Sequence, residues 1–199
     1  NMANAIIQLG RANLMLTLVL TMMTCMVLGM GLPSIPAYLI TASMAAPALI
    51  KLGIPALAAH LFVFYFAMFA NITPPVALAS FAAAGISGGD PMKTGLQSVK
   101  LSLAGFIVPY IFVYNTALLL LDTTPLVALR VTITAIIGVS MIGMATEGFA
   151  LTGMKWIERI LVFVGALLLI TADPIQDAVG FVILVVILFF QFRKKRRTA

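Results

Sequence analysis

Two stretches of the chain gather the groups that could hold an ion or an acid. The first is GMGLPSIPAYL at 29–39, where Gly29, Gly31, Pro33 and Pro36 crowd into eight positions; the second is NITPPVALA at 71–79, where Asn71 and Thr73 precede Pro74 and Pro75. Glycine lets a helix end and proline opens the next one, so each stretch predicts a break with the same order of parts. Ser34 is expected to cap the helix that follows the first break, and Thr73 the helix that follows the second. Each break then offers a helix C-terminus with free carbonyls, suited to a cation, and a helix N-terminus with free N–H groups and a positive dipole end, suited to an anion. A sodium ion on the carbonyls with a carboxylate near the N–H groups fits that arrangement.

The elements that carry the breaks must lie in lipid. The sequence is 62% apolar and only 9% charged, with a mean hydropathy of +1.15, far from the soluble globular range. Its 199 residues could hold roughly six or seven spans of about 20 residues. No charge occurs from 12 to 50, so the first break falls inside an apolar block that resumes and runs to Lys51. A second block, 56–85, is again broken in its middle. Irregular backbone does not survive against hydrocarbon, so both breaks must be buried in protein or line a polar cavity. Discontinuous helices of this kind are the best sequence pointer to the binding site of a secondary transporter.

The rest of the chain reads more simply. Residues 85–100, rich in glycine and carrying Asp90, Lys93 and Lys100, are expected to form an aqueous loop. Plain spans are expected at 101–121, 126–144, 157–171 and 175–192, with Pro109 kinking the first and Pro125 and Pro174 at helix starts. Five of the twelve basic residues form the run 193–197 after the last span, a membrane-flank pattern and not a nucleic-acid arm. With that run in the cytoplasm, Lys93, Lys100, Lys155 and Arg159 fall on the same side, against Arg11, Lys51 and Arg130 outside. The base of the 12–50 block then faces outward. Glu147 and Glu158 are expected in a solvated linker with Lys155 and Arg159. The chain opens at Asn1 already amphipathic, and it reads as the C-terminal part of a longer polypeptide.

Other chemistry is sparse. Cys25 has no second cysteine to pair with and reads as a buried hydrophobe. His60 lies about three turns before Asn71 and is expected to be neutral, hydrogen-bonded to a neighbouring helix. The twelve methionines suit adaptable packing better than metal ligation. G-x-S-x-G and H-E-x-x-H are both missing, so no catalytic residue is expected and the chain is read as a non-enzyme. A channel, or a permease driven by an ATPase through the 85–100 loop, is the alternative to an ion-coupled carrier.

The residues GMGLPSIPAYLITASMAAPALIKLG and AAHLFVFYFAMFANITPPVALASFAAAGISGGDPMKTG resemble the C-terminal transport half of the large membrane subunit of TRAP (tripartite ATP-independent periplasmic) transporters, of the fused permease type. The resemblance covers about 12–121. It implies an all-α polytopic membrane protein, one half of an inverted-repeat elevator-type transporter. Residues 1–121 would form the transport half: a re-entrant helical hairpin at 12–50, a discontinuous transmembrane helix at 56–85 and a helix at 101–121. Residues 122–199 would add further membrane helices with a basic cytoplasmic tail. The function implied is sodium-coupled import of organic acids across a bacterial or archaeal inner membrane. The implied partners are an extracytoplasmic solute-binding protein, the remaining N-terminal part of the permease, membrane lipid and a small carboxylate substrate, with no nucleic acid and no cofactor beyond the coupling ion. Gly29, Gly31, Leu32, Asn71, Thr73 and Val76 would flank the sodium, and Pro33, Ser34, Pro74 and Pro75 the substrate. Two positions depart from the family pattern: Ala77 stands where many relatives carry glycine, and Ser34-Ile35 where threonines are frequent.

Overall fold

The computed structural model describes residues 2–10, 13–171 and 173–198, with 197 and 198 as backbone only; Arg11 and the side chain of Arg197, both counted in the charge reading, lie outside the described residues. Helices α1 (Met2–Gly10), α2 (Leu14–Gly29), α3 (Ser34–Lys51), α4 (Ala56–Phe69), α5 (Leu78–Ser87), α6 (Pro91–Tyr114), α7 (Pro125–Glu147), α8 (Trp156–Ile170) and α9 (Pro174–Thr198) follow one another, with a short 3₁₀ turn at Thr116–Leu119. Among the described residues no strand forms, only an isolated bridge between Phe149 and Gly153. This is what an apolar environment demands, because a helix satisfies its own backbone. The chain forms two compact units, 1–100 and 101–199.

In the first unit, α2 and α3 make a hairpin that packs against α4, and α1 packs on both hairpin arms. The packed faces are dominated by small residues. α3 buries Ala37, Thr41, Ala42, Ala45, Ala46 and Ala48 beside Leu49, while α2 buries Thr17, Thr21, Cys25 and Gly29 beside Leu18. Lipid tails are as apolar as leucine, so helices in a membrane gain little from hiding apolar area; small side chains let backbones approach and dispersion do the work. Larger groups fill the space that remains, with Phe62 and Phe66 of α4 fully buried and edge to face at 4.8 Å. Thr17, Thr24 and Thr41 return their hydroxyl protons to carbonyls one turn back at 2.7–2.9 Å, which removes the cost of an unpaired hydroxyl. Lys51 at the foot of α3 donates to Asn4 of α1 at 2.9 Å.

In the second unit α8 packs against both α7 and α9. The core joins Met141, Ile142 and Ala145 of α7 to Val162, Ala166 and Leu169 of α8 and Ile187 of α9. α7 opens as its sequence predicts, with Thr124 as N-cap accepting from Val127 and Pro125 in the first turn. Asp173 does the same before Pro174, accepting from the Ile175 amide at 2.8 Å.

Several expectations are corrected. Residues 91–100 are not loop but the opening of α6, because Asp90 accepts from the Lys93 amide at 2.8 Å and Pro91 supplies a preset φ at the first position. The helix expected at 101–121 therefore begins ten residues earlier and ends at Tyr114, where Asn115 starts the 3₁₀ turn by accepting from Ala117. Among the described residues three helices are long and apolar enough to cross a membrane, Pro91–Tyr114, Pro125–Glu147 and Pro174–Arg196. The span expected at 157–171 is α8, whose 15 residues reach about 22 Å, short of the roughly 30 Å hydrocarbon core. The linker around Glu158 and Arg159 is no solvated loop either: Glu158 accepts from the Lys155 amide at 3.0 Å and from Gln191 of α9 at 2.8 Å, while Arg159 donates to the Ala145 and Thr146 carbonyls at 2.7 and 2.8 Å.

Candidate binding site at the hairpin tip and the helix break

The hairpin tip forms where the sequence placed it. α2 ends at Gly29, Met30 is extended, and Gly31 takes φ +75, a conformation that costs an L side chain about 1–2 kcal/mol and glycine nothing. The Leu32 amide turns back to the Gly29 carbonyl at 3.3 Å. Ser34, however, does not cap α3. It is the first residue of that helix, and Pro33 holds the cap position with no side-chain hydrogen bond. The Ser34 and Ile35 amides thus occupy first-turn positions that have no acceptor within their own helix, and Pro36 has no amide to offer. Gly31, Pro33 and Ser34 are exposed.

The second break is tighter than expected. Past the end of α4, the Asn71 amide bonds Met68 at 3.0 Å and the Ile72 amide bonds Phe69 at 3.1 Å, so the helix closes in a 3₁₀ manner. Thr73 caps nothing downstream: its hydroxyl donates to the Phe69 carbonyl at 2.8 Å. Pro74 and Pro75, joined by a cis peptide, and Val76 then intervene before α5 starts at Leu78. The reason is positional, since the Ala77 amide closes a turn onto the Thr73 carbonyl at 3.2 Å and the new helix can begin only after it. Ala77 itself is fully buried at φ +36 and ψ +49, the left-handed region.

The carbonyls here are not all free. Asn71 O accepts from the Ala79 amide at 2.9 Å, and Ile72 O from the buried Ser80 hydroxyl at 3.2 Å. A carbonyl has two lone pairs, so these oxygens keep capacity for a cation, as does the Thr73 hydroxyl, whose only proton is already committed to Phe69. The Asn71 side chain is half-buried and makes no hydrogen bond among the described residues.

Tip and break meet. A Cβ built on Gly29 would lie 2.9 Å from the Ala67 carbonyl oxygen and 3.1 Å from Ala70 Cβ, so the hairpin touches the last turn of α4 backbone to backbone. At Gly31 the same atom would lie 3.5 Å from Val76 Cγ1. Gly29, Gly31 and Val76 are therefore neighbours, with Asn71 and Thr73 in the turn between α4 and Val76. Pro74 faces elsewhere, toward Gly95 near the start of α6, where an added Cβ would come within 2.9 Å of the proline ring. Sequence reasoning missed Gly95 because it lay in an expected loop; the Asp90-Pro91 pair that starts α6 was the available signal.

Among the described residues of this unit, Lys51 closes α3, Asp90 and Lys93 stand at the start of α6, and Lys100 lies within α6. The tip and the break carry no ionisable side chain, so they can bind a ligand only through backbone dipoles, hydroxyls and the Asn71 amide. His60 lies on α4 toward α3, its Nδ1 3.0 Å from the Tyr38 hydroxyl, which is the interhelical hydrogen bond expected of it. Among the described residues no three His, Cys, Asp or Glu side chains come together.

A family model described as "Tripartite ATP-independent periplasmic transporter, DctM component" matches residues 1–127 of the 199. No curated protein and no solved structure matches the chain.

Proposed function

We propose, from the premise that this chain belongs to the DctM family of tripartite ATP-independent periplasmic transporter components, that it forms the transport half of a sodium-coupled importer of organic acids. The observation that carries the reading is the contact of the Gly29–Gly31 tip with the end of α4 and Val76. In this reading the Thr73 hydroxyl, the Asn71 amide and the carbonyls of the break take the sodium ion, with Gly29, Gly31, Leu32 and Val76 shaping its cage. The first-turn amides of Ser34 and Ile35, with the Ser34 hydroxyl, take the carboxylate, and Pro33, Pro74 and Pro75 hold the backbone around it. A neutral site suits coupling, because the cation and the anion each supply the charge that makes the other's desolvation tolerable.

The family's tripartite name implies an extracytoplasmic binding protein and a further membrane subunit. The importer works in the inner membrane with its basic C-terminal run in the cytoplasm. An ATP-driven permease is the weaker reading, since α6 absorbs most of the 85–100 segment that would have served as a coupling loop.

Uptake into proteoliposomes with the complete permease and its binding protein, under an imposed sodium gradient, tests the proposal. Thr73→Val should cut sodium-driven uptake at least tenfold, the loss expected when a ligand to a charged group is removed. Uptake that needs no sodium, or a Thr73→Val variant with unchanged sodium dependence, would overturn it.

A further inference from the structure

The junction of α7, α8 and α9 carries a second set of polar groups that the transport reading does not use. Arg159, in the first turn of α8, reaches across to α7 and donates from Nε to the Ala145 carbonyl at 2.7 Å and from Nη2 to the Thr146 carbonyl at 2.8 Å. Its guanidinium also lies 4.8 Å from the centre of the Trp156 ring. Nη1 has no partner among the described residues. That edge stays open because residue 148 is glycine, where a Cβ would sit 3.1 Å from Nη1. Below the guanidinium runs a groove of about 230 Å³ lined by Ala145, Thr146, Trp156, Arg159, Ile160 and Phe163. It is apolar along its length and cationic at one end.

The position of the groove says what fills it. α7 is long and apolar enough to span a membrane and ends at Glu147, which puts the groove at the level where a spanning helix leaves hydrocarbon for water. Trp156 and Ile157, 74% and 73% exposed, stand at that level, where tryptophan is favoured. Lys155 is exposed at the start of α8, and Lys194 donates to the Gly153 carbonyl at 2.7 Å. Of the nearby carboxylates, Glu158 turns toward α9 to meet Gln191, and Glu147 is exposed at the end of α7. The balance is positive, and the open donors of Nη1 match a phosphate oxygen.

We propose that this groove binds an anionic phospholipid, its phosphate on Arg159 Nη1 and Lys155 and its glycerol and upper acyl chain along Trp156, Ile160 and Phe163. A zwitterionic lipid fits the apolar part equally well but brings its own cation to a cationic site. The selectivity is therefore electrostatic and local, distinct from the diffuse attraction of the basic tail for an acidic leaflet.

Trp156 is the only tryptophan of the 199 residues, so its fluorescence reports directly on the groove. The chain is placed in phosphatidylcholine vesicles with a minor fraction of either brominated phosphatidylglycerol or brominated phosphatidylcholine, and quenching is compared. Quenching per brominated lipid should be about fivefold stronger for the anionic lipid, the advantage of roughly one basic group at the surface. Arg159→Gln should abolish that preference and Lys155→Ala should reduce it, with helical content followed by circular dichroism. Equal quenching by both lipids would overturn the proposal. So would a preference that survives Arg159→Gln and vanishes only when the run 193–197 is neutralised. If Arg159→Gln does not fold, Lys155→Ala decides, and an undiminished preference there refutes the site.

Discussion

The two compact units hold their helices together in different ways. In the first, the α2–α3 hairpin meets α4 largely through small and apolar side chains, with a hydrogen bond from Tyr38 to His60 between α3 and α4. In the second, the helix ends are tied by a polar chain in which Gln191 of α9 accepts from the Thr152 amide and hydroxyl at 3.0 and 2.6 Å and donates to Glu158 of α8 at 2.8 Å. Gln191 is 1% exposed, so breaking those bonds would strand its amide away from water. Away from the Tyr38–His60 bond, contacts between apolar faces can shift without leaving an unpaired polar group; a buried amide with three hydrogen bonds cannot. Shifting the hairpin on α4 thus costs less in lost hydrogen bonds than shifting α9 on the turn before α8.

Substitutions can break or sharpen that contrast. The largest effect is expected at Gly29. Gly29→Val forces atoms into the Ala67 carbonyl, pushes the tip off α4 and should abolish sodium-driven uptake while costing about 1–3 kcal/mol of stability, read from uptake and from thermal unfolding in detergent. Next is Gln191→Leu, which removes the central link of the second unit and leaves Glu158 and Thr152 short of partners. It should destabilise by about 1–3 kcal/mol in the same unfolding assay and leave the sodium dependence of uptake intact. A Gln191→Leu variant that unfolds like the parent would erase the distinction between the units. The smallest effect runs the other way: Ala77→Gly relieves a buried alanine of its left-handed backbone and should stabilise by about 1 kcal/mol. A melting temperature that falls would mean that the methyl group's packing outweighs the strain.

How much of this was legible beforehand differs from residue to residue. Gly31 announced its turn because few other residues tolerate its φ, and Pro125 and Pro174 announced helix starts because their missing N–H is harmless only there. His60 was readable as an interhelical bond because a lone imidazole on an apolar helix needs a partner. Ser34 and Thr73 misled, since a hydroxyl near a helix start satisfies the same pattern whether it caps the next helix, falls inside it as Ser34 does, or bonds back to the previous one as Thr73 does. Thr73 chose Phe69 because the turn through Pro74, Pro75 and Val76 delays α5 to Leu78. The Glu158–Gln191–Thr152 chain spans 39 positions of sequence, and no local spacing could have paired its members.

By itself the sequence determined that the chain lives in lipid and that its helices break at 29–36 and 71–79, because composition and the glycine and proline dihedrals act through covalent neighbours alone. Only the tertiary structure decided that the Gly31 tip reaches Val76, that Gly95 seats Pro74, and that α9 is pinned to the turn before α8. Those contacts join residues far apart in the chain, and shape, not local preference, selects among the many small apolar faces that could have met.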